Sequence, residues 1–236
     1  MELLAALLDL VPLALLAGVV GLDVVSFPQA MISRPIVGAT LGGAFLGAPE
    51  AGLVCGTALE CLALESLPVG ASRYPEWGSA SVAAGAVASV GATSSSFPDV
   101  GAFAVAVLVG IVTGWIGGWT MVKQRQIIAG FARPRLDQLA AGSRKTVIGL
   151  QAFGMTLDLA RGTLLGALVI LVARPAAVLV NARWSVGEDL SRAIIITAVV
   201  GVAAAAVWKD FHAISGTRRL FVAALAVGTL LVVAGA

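Results

Sequence analysis

Residues 29–76 read QAMISRPIVGATLGGAFLGAPEAGLVCGTALECLALESLPVGASRYPE. Arg34, Glu50, Glu60, Glu65, Arg73 and Glu76 lie inside or at the edges of two apolar segments in this stretch. A charge in hydrocarbon costs several kcal/mol, so ionisable residues at such positions usually face a pathway or a partner. Pro35, Pro49, Pro68 and Pro75 cut the stretch into pieces too short for simple spans. Short, Pro/Gly-interrupted apolar pieces are how re-entrant hairpins and broken transporter helices read in sequence.

The surrounding chain supplies the setting. Of 236 residues, 59% are hydrophobic and 12% charged, and the mean hydropathy is +0.99. Soluble domains carry about 25% charged residues. Half that amount leaves too little polar surface to cover a soluble globule, so the chain reads as an integral membrane protein resting in a lipid bilayer. The net charge of +2 contains no dense basic block, which excludes nucleic acid as a partner class. Cys55 and Cys61, six apart in an apolar run, read as small buried hydrophobes. With a single histidine, His212, no metal cluster is expected, and no cofactor is expected either. Glu2 and Asp9 replace the basic start of a signal peptide, so the first helix is expected to remain.

About eight apolar segments follow one another, at roughly 3–22, 35–48, 51–67, 78–92, 100–122, 163–181, 190–208 and 219–236. A simple span needs about 20 apolar residues, which the first and the last four reach or approach. The fold expected is an all-α integral membrane protein of about 7–9 hydrophobic helices, with short re-entrant or broken helices in its first half. Glycines four apart recur at Gly38/Gly42, Gly52/Gly56, Gly110/Gly114/Gly118 and Gly162/Gly166. That spacing lines one helix face with small residues and lets backbones approach closely.

Residues 123–161 break the apolar pattern with seven Lys/Arg against two Asp. Basic loops stay on the cytoplasmic side, so this connector is expected there. It reads either as a solvated amphipathic connector interrupted at Pro134 or as a docking surface for a cytosolic partner. It divides the chain into a first membrane block, 1–122, and a second, 162–236.

The polar residues allow two kinds of role. Glu60 has Leu59, Leu62, Ala63 and Leu64 around it, so it must be paired, protonated or facing water. Carboxylates and amides suit a sugar, whose hydroxyls both donate and accept. Glu60, Gln29, Glu76, Arg34 and Ser72 are the candidate substrate-binding residues. Glu60 contacts substrate in one reading and neutralises Arg34 or Arg174 in the other. Arg34 fits an ion pair or an interface position. Trp77 fits either a stacking face for a pyranose or an interfacial anchor. No nucleophile–base pair, P-loop or metal signature appears, so no enzymatic step is expected of this chain.

The same stretch resembles the membrane-embedded IIC component of the mannose/fructose/sorbose class of bacterial sugar phosphotransferase systems. The resemblance rests on SRPIV followed by GATLGGAFLG, then GLVCGTALECLAL, then PVGASRYPE, in that order and spacing. It is clear over about residues 20–92. It implies a sugar permease in the bacterial cytoplasmic membrane. The family's IIC pairs with a second membrane subunit, IID, in an oligomeric assembly, while cytosolic IIA and IIB carry the phosphoryl group. By position, Glu60 matches the family's Leu-Glu glutamate. Gln29 falls where members carry Gln or an acid before Arg-Pro, and Glu76 where most carry Asp after Pro. Pro68 stands where some mannose-type members carry Asn. Two other readings compete: a divergent regulatory or structural membrane subunit, and an unrelated secondary transporter.

Overall fold

The computed structural model describes residues 2–64, 73–92 and 97–234. Glu65, Pro68 and Ser72, singled out above, lie outside the described residues. Within them the chain is all-α. The helices are α1 (Glu2–Leu22), α2 (Pro35–Phe45), α3 (Pro49–Ala63), α4 (Trp77–Ala88), α5 (Val100–Ala132), α6 (Leu136–Ala140), α7 (Arg144–Ala182), α8 (Glu188–Phe211) and α9 (Thr217–Val233).

Among the described residues, three stretches are long and apolar enough to cross a membrane: Val100–Ala140, Arg144–Ala182 and Glu188–Lys209. The helices of the first half are shorter. At 1.5 Å per residue, the 11 residues of α2, 15 of α3 and 12 of α4 reach only about 16, 22 and 18 Å, against about 30 Å of hydrocarbon. Pro35 and Pro49 each sit at the first turn of their helix, where the missing N–H costs nothing. Gly47, at φ +78°, turns α2 back into α3. Arg34, before α2, meets Glu60 in the last turn of α3, so the hairpin's two open ends lie together. The pair is a hairpin of two short apolar helices, neither long enough to cross the layer.

Small residues hold this hairpin in place. A Cβ at Gly42 would collide with the Val82 carbonyl of α4, one at Gly52 with the Ala39 carbonyl of α2, and one at Gly85 with that same carbonyl. Gly162 of α7 lies against Gly18 of α1. Lipid tails are as apolar as leucine, so close van der Waals contact rather than water exclusion drives such packing. Helix α4 is the axis: every residue from Gly78 to Ala88 is buried. Its flanks meet Leu13, Ala17, Val20 and Ile170 on one side and Cys55, Leu59, Phe103 and Ala106 on the other.

The connector is mostly helix. Helix α5 continues ten residues past Val122, and α7 begins at Arg144, nineteen residues before its apolar run starts at Thr163. A 3-10 turn at Arg133–Arg135, around Pro134, and the short α6 join them. The Phe131 and Phe153 rings pack at 4.7 Å, binding the two extensions into an arm.

Candidate functional site

Two charged clusters occupy the end of the bundle from which the arm projects. The first is at the open end of the hairpin. One guanidinium nitrogen of Arg34 donates to Glu60 Oε1, and the Ile36 N–H donates to Glu60 Oε2 at 3.2 Å. The pair is not sealed: the Arg34 side chain is 36% exposed and that of Glu60 16%. An ionised carboxylate has about four acceptor positions, so Glu60 keeps capacity beyond these two donors.

The second cluster is closed. Glu76 caps α4: the Ser79 N–H donates to its Oε1 at 3.0 Å, and the Ser79 hydroxyl donates to its Oε2. Its own N–H donates to the Gly114 carbonyl of α5 at 2.8 Å. From α7, Arg161 places Nη1 3.6 Å from Glu76 Oε2 and donates from Nη2 to Asp158 Oδ1 at 2.8 Å. Arg161 Nε also donates to the Gln124 side-chain oxygen of α5 at 3.0 Å. Ser26 donates to Asp158 Oδ2 at 2.8 Å. Glu76 and Asp158 are wholly buried and Arg161 nearly so. Two carboxylates share one guanidinium here, with hydroxyl and amide donors supplying the rest. A buried charge is tolerated when it is paired and hydrogen-bonded in this way.

Glycines make the approach possible. A Cβ at Gly117 of α5 or at Gly78 would run into the Glu76 side chain. Helix α5 reaches Gly117 seventeen residues after Val100, about 26 Å along its axis. The cluster therefore lies toward the arm end of α5, at a distance from its start close to the roughly 30 Å thickness of a hydrocarbon layer.

The loop between α1 and α2 is clamped by Asp23. Its carboxylate accepts the Ala30 N–H at 2.6 Å, the Ser33 N–H at 2.9 Å and the Ser33 hydroxyl at 2.8 Å. Burial opposes the ionisation of Asp23, but the N–H groups of Ser33, Ala30 and Ile32 and the Ser33 hydroxyl outweigh it and hold its carboxyl below the ordinary aspartate value. The clamp supports Gln29 and Met31 at φ 59° and 62°, left-handed conformations that cost on the order of 1–3 kcal/mol each.

Among the residues expected from sequence, Arg34 and Glu60 are brought together. Glu76 is brought instead to Arg161. Gln29 is exposed and donates to the Val25 carbonyl of its own loop at 3.0 Å. Trp77 packs, partly buried, against the core. Arg174 does not supply Glu60's partner, and its buried Nε has no hydrogen-bond partner among the described residues. In the sequence Asp158 and Arg161 stand at the end of the 123–161 connector, and nothing there singles out Asp23, Ser26, Ser79 or Gln124. The available signal was Asp158 and Arg161 three apart, one face of a helix, at the threshold of an apolar run.

A family model described as the sorbose-specific IIC component of the phosphotransferase system matches residues 7–206. No curated protein and no solved structure gives a significant match. The match spans the hairpin, α4, both charged clusters and most of α8.

Proposed function

Because this chain belongs to the family of sorbose-specific IIC components of the sugar phosphotransferase system, and is therefore a multi-pass membrane protein serving sugar transport, we propose that it is the permease subunit that forms the translocation pathway with IID. The observation that carries this reading is the short α2–α3 hairpin with the Arg34–Glu60 pair, open to solvent on its Arg34 side, at its open end. A carboxylate and a guanidinium side by side can engage neighbouring sugar hydroxyls as acceptor and donor, each in a charge-assisted bond. The pair already satisfies itself, so a sugar exchanges one set of bonds for another and neither charge is stranded.

In this reading the chain carries out no phosphoryl transfer. Cytosolic IIA and IIB deliver the phosphoryl group, and the basic arm of residues 123–161 faces them from the cytoplasmic side of a bacterial membrane. Glu76, closed off by Ser79 and Arg161, caps α4 and holds it against α7.

The subunit is not self-sufficient. Helix α9 presents Leu220, Leu225, Leu230 and Leu231 outward, and such faces suit lipid or another membrane subunit. Reconstituted alone, the chain is expected to show no phosphoenolpyruvate-dependent uptake, and with IID, IIA and IIB to show it. Tight sugar binding and transport by the chain alone would sink the need for IID. Uptake that persists with IID after this chain is deleted would favour a regulatory role instead. Uptake driven by a proton gradient, without phosphoenolpyruvate, would favour a secondary transporter.

A further inference from the structure

At the opposite end of the bundle from the arm, a cleft of about 430 Å³ opens between the start of α5, the end of α7 and the start of α8. Its size falls within the roughly 300–1,000 Å³ of small-molecule sites. Two aromatic rings line it, Phe97 and Trp184, 41% and 37% exposed. Four of its polar side chains form two hydrogen-bonded pairs. Asn181 Nδ2 donates to Asp99 Oδ2 at 2.6 Å. Arg192 Nη2 donates to Glu188 Oε1 at 2.7 Å, and its guanidinium lies 5.9 Å from the Phe97 ring centre.

The Asp99–Asn181 pair is built in. Gly91, at φ +76°, lies directly against it, and a Cβ there would collide with the Asp99 carboxylate and come within 2.9 Å of the Asn181 amide. The backbone conformation and the missing side chain together reserve that space.

We propose that this cleft is a capture site for the free monosaccharide on the face opposite the basic arm, ahead of the hairpin. Carboxylate, amide and guanidinium groups recognise vicinal hydroxyls, while indole and phenyl faces cover the apolar face of a sugar ring. Asp99 and Glu188 together outweigh Arg192, so the cleft disfavours a sugar phosphate and admits the uncharged sugar. Unphosphorylated sugar outside and phosphorylated product inside are thereby separated by charge as well as by the membrane. This proposal rests on the permease reading.

The test uses whole cells making the complete complex, with labelled sorbose, fructose and mannose as probes. Trp184→Ala is expected to raise KM about three- to tenfold at unchanged maximal rate, as for loss of a contact worth a modest part of the binding. Trp184→Phe keeps an aromatic face and should return KM close to that of the unsubstituted chain. Glu188→Gln, at a side chain 78% exposed, changes charge where folding is insensitive to it and should raise KM as well. Unchanged KM in Trp184→Ala and Glu188→Gln, at normal abundance, would overturn the cleft and leave the permease reading standing. If Trp184→Ala does not reach the membrane, Glu188→Gln alone decides. Absence of phosphoenolpyruvate-dependent uptake of all three sugars by the unsubstituted complex would overturn the permease reading and the cleft with it.

Discussion

The Arg34–Glu60 pair and the Glu76–Arg161–Asp158 cluster use the same chemistry in opposite ways. Both set carboxylates against a guanidinium near the arm end of the bundle. In the first, both side chains retain exposure and only three residues take part. In the second, side chains from α4, α5, α7 and the α1–α2 loop close over carboxylates that no solvent reaches. Water reaches the Arg34 end of the first pair, 36% exposed, so the ions there are partly screened and hold each other less tightly than a sealed pair. Breaking a buried pair by removing one partner costs about 3–5 kcal/mol, since the remaining charge has no solvent to turn to. The difference separates a group that can be lent to a substrate from one the fold cannot release.

Arg161→Ala gives the largest expected effect. It leaves Glu76 and Asp158 facing each other without their cation, and the loss of about 3–5 kcal/mol should remove most of the chain from the membrane. Neutralising both acids in the same chain, with Glu76→Gln and Asp158→Asn, should restore part of the abundance. Normal abundance of Arg161→Ala on immunoblots of isolated membranes would break the distinction between the clusters.

Ser26→Ala should act in the same direction with less force. It removes one hydroxyl donor from Asp158 Oδ2, a loss of about 1–3 kcal/mol for a buried acceptor left unsatisfied. Thermal melting of the detergent-solubilised complex reads this as a lower midpoint with uptake per inserted chain retained. A midpoint unchanged from that of the unsubstituted complex would mean that water replaces the hydroxyl and that the cluster is less closed than its geometry shows.

The two clusters were unequally legible in the sequence. Arg34 and Glu60 lie inside the Pro- and Gly-punctuated stretch, where every charge is conspicuous against its neighbours. The short-helix hairpin was legible too, because Pro35, Gly47 and Pro49 mark its start, turn and restart and the glycines four apart mark its packed faces. Arg161 and Asp158 sit at the edge of a polar connector, where charges are ordinary, and their partner Glu76 is more than eighty residues away. A pairing over that distance leaves no periodic trace in one sequence. Hydropathy also ended one segment at Val122 and began the next at Thr163, although α5 runs on to Ala132 and α7 starts at Arg144, because hydropathy reports the apolar stretch while helix propensity and Phe131–Phe153 packing extend the helices beyond it.

In the permease reading the Arg34–Glu60 pair belongs to the sugar path. Uptake per inserted chain for Glu60→Gln, with IID, IIA and IIB present, tests it most directly. The substitution keeps the size of the side chain and removes its charge, and the exposure of Arg34 lets water take over the freed guanidinium, so abundance should stay near that of the unsubstituted chain. Loss of a charge-assisted acceptor, about 1.5–3 kcal/mol, should lower apparent sugar affinity about 10- to 150-fold. Normal abundance with normal uptake would remove Glu60 from the path and contradict the account.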